Sequence, residues 1–246
     1  MTDKKIILVI SSRSPGTGVV RFLNGFIAGD NVRISLCILE ESSDLELNYD
    51  GLLDEISSIC ISKSIPLRIR RLRSDADLVL RSMANFADLL VFEKSVLQVL
   101  ALGHEFVRSS CATIAIPSDF SSITNILLIT DGSSGSVQGI KQFFQIFPRL
   151  SGDLDVNLLS VSAGMGGLSS EQEIMLLDYL KQYSKNVGIL KVEEPLTHKL
   201  LKPIRYDNST IVVSTMRFLL SRYGEDEVFK PFFDNQTTLF VPAEIS

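Results

Sequence analysis

Between Thr130 and Ser136 the chain sets one carboxylate, Asp131, and three hydroxyls, Ser133, Ser134 and Ser136, among two glycines, Gly132 and Gly135. Three kinds of chemistry use residues of these types at this spacing. A nucleophile elbow of the form Gly-x-Ser-x-Gly is one, but Ser136 stands where its last glycine belongs and no triad partners can be assigned. Ligand binding is another: the free N–H groups that open a helix attract an anion, and Asp131 would accept a ligand amino group. The third is structural. Serine hydroxyls satisfy N–H groups in a first helical turn, and an aspartate closes the turn by bonding the backbone N–H groups that follow it. The structural reading is favoured for both the serines and Asp131, with the ligand reading as its alternative.

The other reactive side chains are sparse. His104 and His198 are the only histidines, one in each half of the chain. Neither has the Glu-x-x-His or His-Glu-x-x-His setting of a metal site, so no metal and no histidine base are expected. Cys37, Cys60 and Cys111 show no Cys-x-x-Cys spacing and cannot all pair, which makes them small buried hydrophobes. Arg68, Arg70, Arg71 and Arg73 crowd one short strand. Single-stranded nucleic acid would need stacking aromatics beside them, and none is there, so they read as charges protecting a sheet edge. Ser162-Ala163-Gly164-Met165-Gly166-Gly167 is glycine-rich but lacks the Gly-Lys-Ser/Thr ending of a phosphate loop, and reads as a flexible connection.

The elements that must carry the Asp131 turn are a strand before it, Ile126 to Thr130, and a helix after it with Val137, Ile140, Phe143, Phe144, Ile146 and Phe147. The same opening occurs at Ile6-Ile7-Leu8-Val9-Ile10, 120 residues earlier, followed by the Ser11 to Gly18 turn and a helix from Val19. The first half continues as strand Val32–Leu39, loop Glu40–Asp50, a helix with Leu52, Ile56 and Cys60, strand Leu67–Arg73, a helix opened by Ser74-Asp75, strand Asp88–Phe92, a helix over 95–109 and strand Ala112–Ile116. Pro117 stops that strand, and Ser118 to Ser122 is expected to be a polar linker. In the second half strands are expected at Leu154–Val161, Val187–Val192, Thr210–Ser214 and Thr237–Val241. Helices are expected from Ser169, after Pro195 and over Leu219–Phe229. The Phe143, Phe144 and Phe147 stripe is expected in the core. Strands apolar on both faces, alternating with helices, make an α/β fold with parallel sheets. The expected domains are 1–118 and 123–246.

A chain of 246 residues, 45% hydrophobic and with a mean hydropathy of +0.24, can bury two sizeable cores. Its net charge of −5 argues against a general nucleic-acid binder. Met1 to Lys5 leads directly into a short strand, and no apolar run approaches the ~18 residues of a membrane span. A soluble cytoplasmic protein, without membrane or nucleic-acid partners, is the expectation.

The strand and turn Ile126-Leu127-Leu128-Ile129-Thr130-Asp131-Gly132-Ser133, the second strand ending Leu158-Leu159-Ser160-Val161 and the last strand ending Val241-Pro242 resemble the universal stress protein family, in two tandem copies. The resemblance implies an adenine nucleotide alpha hydrolase-like fold: in each copy a doubly wound five-stranded parallel α/β sandwich with strand order 3-2-1-4-5. It also implies that the last strands, Ala112–Ile116 and Leu239–Val241, pair within the chain as a pseudo-dimer, leaving a monomer or one further homodimer. Members that bind ATP carry an aspartate at the end of the first strand and a Gly-x2-Gly-x9-Gly-Ser/Thr run after the fourth. Asp131 meets the first requirement, where the first copy has Ser11. The run fails twice, falling on Glu93, Val96, Phe106 and Val107 in one copy and on Ser214, Arg217, Glu227 and Val228 in the other. The glutamates would repel a triphosphate, whereas Arg217 would attract one. A non-enzymatic stress-response or regulatory protein without a cofactor is expected, acting through protein partners that the sequence does not name. The alternative is a regulator that binds a nucleotide or other small ligand, with slow ATP hydrolysis, through Asp131, Gly132, Ser133, Ser134, Ser136, Ser214 and Arg217.

Overall fold

The computed structural model describes residues 3–11, 16–27, 31–40, 49–73, 75–99, 110–148, 152–162, 167–193, 209–222 and 237–243. The chain divides into two compact units, Met1–Ser122 and Ile123–Ser246.

Unit 1 runs β1 (Lys4–Ser11), α1 (Thr17–Phe26), β2 (Val32–Leu39), α2 (Asp50–Ser62), β3 (Leu67–Leu72), α3 (Ala76–Ala84), β4 (Leu89–Glu93), α4 (Lys94–Val99) and β5 (Ala112–Ile116). All four pairings are parallel, in the order β3-β2-β1-β4-β5. Every residue of β4 and β5 is buried, as strands covered on both faces must be. The arginine strand β3 is the outer strand of this order, as the charge pattern required. Arg71 and Arg73 both pair with Glu40, at 3.1 and 2.9 Å, and the hydrogen bond from Arg73 is the main cause that lowers the Glu40 carboxyl.

Unit 2 runs β6 (Asn125–Thr130), α5 (Ser134–Ile146), β7 (Gly152–Ser162), α6 (Ser170–Leu180), β8 (Ser184–Glu193), β9 (Thr210–Val213), α7 (Met216–Arg222) and β10 (Thr238–Val241). Its parallel order, β8-β7-β6-β9-β10, repeats that of unit 1. The phenylalanine stripe of α5 is core: Phe143 lies 5.0 Å from Phe240 and 5.2 Å from Phe144 between ring centres.

The structure differs from the sequence reading at several edges. Residues 118–122 are part of unit 1 rather than a linker: Phe120 is fully buried, 5.8 Å from the rings of both Phe22 and Phe26. Helix α1 ends at Phe26, because Ile27 is already extended, before the Gly29 stop that the sequence suggests. Helix α7 begins at Met216, three residues early, since the Thr215 hydroxyl accepts the N–H of Phe218 and starts the turn sooner. Residues 100–109 of the helix expected over 95–109, with His104, Phe106 and Val107, the helix expected after Pro195, with His198, and residues 223–229 of the helix expected over Leu219–Phe229, with Glu227 and Val228, lie outside the described residues. Among the described residues no helix is long and apolar enough to cross a membrane.

Candidate functional site

In a parallel sheet of this order the first and fourth strands are neighbours, and the turns at their C-terminal ends lie beside the start of the first helix. In unit 1 these are the ends of β1 and β4. Glu93, the last residue of β4, has no exposed surface. Its Oε1 accepts the N–H of Gly18 in the first turn of α1 at 2.8 Å, and its Oε2 accepts the Ser118 hydroxyl at 3.3 Å. The amides of Gly16 and Val19 also favour its charged form. Burial pushes its carboxyl above the usual range, and those donors oppose the shift without cancelling it.

A carboxylate therefore stands at the positive end of α1, where an anion would otherwise bind. Glycine is required at 18, because a Cβ there would lie 2.4 Å from the Pro117 carbonyl oxygen and 3.1 Å from Glu93 Oε1. The sequence reading gave Glu93 a merely repulsive role, and its use as a helix-end ligand was missed. One signal was available: it is the charge that directly follows the apolar run Leu89–Phe92.

In unit 2 the Asp131 turn is brought together as a closed network. Ser133 is the N-cap of α5, its Oγ accepting the N–H of Ser136 at 3.2 Å. The buried Ser136 hydroxyl lies 2.8 Å from Thr130 Oγ1 and donates to the Ser133 carbonyl at 2.9 Å. Asp131 Oδ1 accepts the N–H of Ser133 at 3.0 Å, and Thr130 Oγ1 accepts that of Gly132 at 3.1 Å. Burial would raise the Asp131 carboxyl, but the Ser133 hydroxyl and N–H outweigh it and hold the group below its usual range. Gly132, at φ +79°, is pressed on the next loop: a Cβ there would fall 2.4 Å from the carbonyl carbon of Gly167.

The remaining candidates stand apart from this network. Ser134 is exposed on the first turn of α5. Arg217 is exposed on α7. Ser214 follows Val213, the register partner of Leu128, so it sits at the tip of the strand beside β6. Its Oγ is buried without a hydrogen-bond partner.

No protein-family model matches this chain, and no curated protein matches it either. Solved structures do match. A universal stress protein from Archaeoglobus fulgidus DSM 4304 aligns over 99% of this chain and 97% of its own, with a TM-score of 0.57 at 10% identity. The fold is that of a universal stress protein. PA1789 from Pseudomonas aeruginosa PAO1, a protein of unknown function, aligns over 98% of this chain and 92% of its own, with a TM-score of 0.57 at 12% identity. At such identities the likeness extends to the architecture of the universal stress protein and not to its site residues.

Proposed function

We propose that this chain is a non-enzymatic regulator of the universal stress protein family that does not use ATP and acts in the cytoplasm by contacting other proteins. The observation that carries the reading is Glu93: unit 1 supplies its own anion to the helix end that a phosphate would need. The internal bonding of Asp131, Ser133 and Ser136 supports it, since those groups already satisfy one another. Calorimetric titration of the full chain with ATP and with AMP tests it, and no heat at millimolar ligand is expected. We also propose that the chain is a monomer or forms one further homodimer, which light scattering would distinguish from a larger assembly.

A second reading rests on Ser214. A hydroxyl buried without a partner is unfavourable unless something bonds it, and in unit 2 no carboxylate replaces it. That favours a small ligand held between the tip of β9 and the Asp131 turn. Micromolar ATP binding that disappears in Asp131→Ala and Ser214→Ala would establish it and overturn the first reading.

A further inference from the structure

The two units differ most in how the helix after the first strand meets the helix after the second. In unit 1 they are tied at both ends. Leu52, the third residue of α2, lies against the N-cap Gly16 of α1, with its Cδ2 2.5 Å from where a Cβ would be. Lys63, the C-cap of α2, sends its Nζ to the carbonyl oxygens of Leu23 and Ile27 at 3.1 and 2.7 Å.

In unit 2 the first of these positions does not reach across. Gln172, the third residue of α6, turns its side chain back to accept the N–H of its own N-cap, Ser169, at 2.9 Å. At the other end Tyr183, which stands where unit 1 has Lys63, stacks on Phe144 of α5 with ring centres 4.4 Å apart. The C-terminal halves of α5 and α6 still meet, through Phe144 and Tyr179. The first turns are parted, leaving a cleft of about 530 Å³, within the usual ~300–1,000 Å³ of small-molecule sites.

The walls of the cleft are Val137, Leu168, Met175, Leu176 and Tyr179, with Ser134, Gln138 and Gln172 at intervals. Met175 is 63% exposed despite its apolar side chain. Lys141 is the single charge in the lining. It forms no ion pair with any described residue. Of the three acids of α6, Glu173 pairs with Lys191 and Asp178 with Lys181, and Glu171 is not among the residues that line the cleft. An apolar slot with one uncompensated cation selects an apolar body carrying one anionic group. We infer that the cleft between α5 and α6 is a binding site for a small amphiphilic carboxylate, with the apolar body against Met175, Leu176 and Tyr179 and the carboxylate on Lys141 Nζ.

The test uses the full chain and three probes: anilinonaphthalene sulfonate as a fluorescent apolar anion, phenylnaphthylamine as its uncharged counterpart, and decanoate as the competitor. The sulfonate is expected to saturate at one molecule per chain and to be displaced by decanoate. Lys141→Glu should weaken the sulfonate by about tenfold or more, the scale of a charge-assisted contact, and leave the uncharged probe within about twofold. Gln172→Leu, which places a leucine where unit 1 has Leu52, should weaken both probes by about tenfold by filling the cleft. Thermal melts of the two variants, both altered at exposed positions, check that each remains folded. Binding that does not saturate at one per chain, that decanoate fails to displace, or that both variants leave within about twofold of the natural protein overturns the assignment. These probes contain no nucleotide, so the outcome is independent of the ATP titration.

Discussion

Removing the Glu93 carboxylate is the perturbation with the most to say about unit 1. In Glu93→Ala the buried N–H of Gly18 loses its acceptor at 2.8 Å, and the space of a fully buried side chain is left empty. An orphaned buried donor costs about 1–3 kcal/mol and a large-to-small change in a core costs about 2–5 kcal/mol, so together a loss of about 3–5 kcal/mol is expected. For a protein of this size that lowers the midpoint of thermal unfolding by about 10 °C. Glu93→Gln keeps an acceptor and the volume, and should stay within about 1 kcal/mol at neutral pH.

The pH dependence separates charge from shape. Burial raises the folded carboxyl above its unfolded value. The stability it contributes is therefore fully present below the unfolded pKa of about 4.3 and is lost as pH rises through the folded value. The natural protein should lose stability across that interval, whereas Glu93→Gln should not. Circular-dichroism melts of the three proteins at successive pH values upward from about 4 follow that loss. Inorganic phosphate, which suits a vacated helix N-terminus, should raise the melting point of Glu93→Ala more than that of the natural protein. An alanine variant melting within about 2 °C of the natural protein would refute the account of Glu93 as the internal ligand of the α1 end, and parallel pH curves for the natural and glutamine forms would refute the upward shift of its carboxyl.

Phe120→Ala should destabilise unit 1 by about 3–5 kcal/mol in denaturant titration, because the ring is enclosed by Phe22 and Phe26; a true linker residue would give almost nothing. Asp131→Asn should cost about 1 kcal/mol at neutral pH by removing a negative charge beside the start of α5. Since the folded Asp131 carboxyl is held low, its contribution is present above the unfolded pKa and lost as pH falls through the folded value, so the natural and asparagine proteins should converge in acid melts. Cys37, whose thiol burial pushes up to about 11, and the buried Cys60 and Cys111 should react with a thiol reagent only at the rate of unfolding. Fast labelling of any of the three in the native protein would contradict their placement.

The strands and most helices were legible because they depend on runs of like residues. Ile6–Ile10, Leu89–Phe92 and Ile126–Ile129 are apolar over their whole length, which only a strand covered on both faces requires. The Ser169 start of α6 was equally plain, and the structure completes it as a capping box with Gln172. Strand order was not in the pattern. Periodicity says which residues are buried and nothing about which strands are neighbours, so 3-2-1-4-5 entered through resemblance alone. Phe120 was hidden by its setting, a single aromatic among Ser118, Asp119, Ser121 and Ser122. Composition averaged over five residues reads as polar, while packing responds to the one ring that finds a hole.

The candidate sites were legible in the same uneven way. The Asp131 turn was visible because each of its bonds spans no more than six residues, so spacing is enough to suggest them. Glu93 reaches from residue 93 to residue 18, and the cleft between α5 and α6 depends on whether Gln172 bonds its own helix or its neighbour. Contacts of that kind are decided by tertiary geometry.

The same dependence explains how two copies of one fold come to differ. At the end of the fourth strand a glutamate occupies the helix end in unit 1, whereas just past the fourth strand of unit 2 the Ser214 hydroxyl is buried without a partner. At the third position of the second helix a leucine closes one helix pair, and a glutamine, diverted into a cap, leaves the other open. Each difference comes down to a single side chain, and at these two places unit 2 keeps polar or apolar surface that its described residues leave unfilled. A small molecule held by the Ser214 hydroxyl or by the cleft between α5 and α6 is therefore to be sought on unit 2.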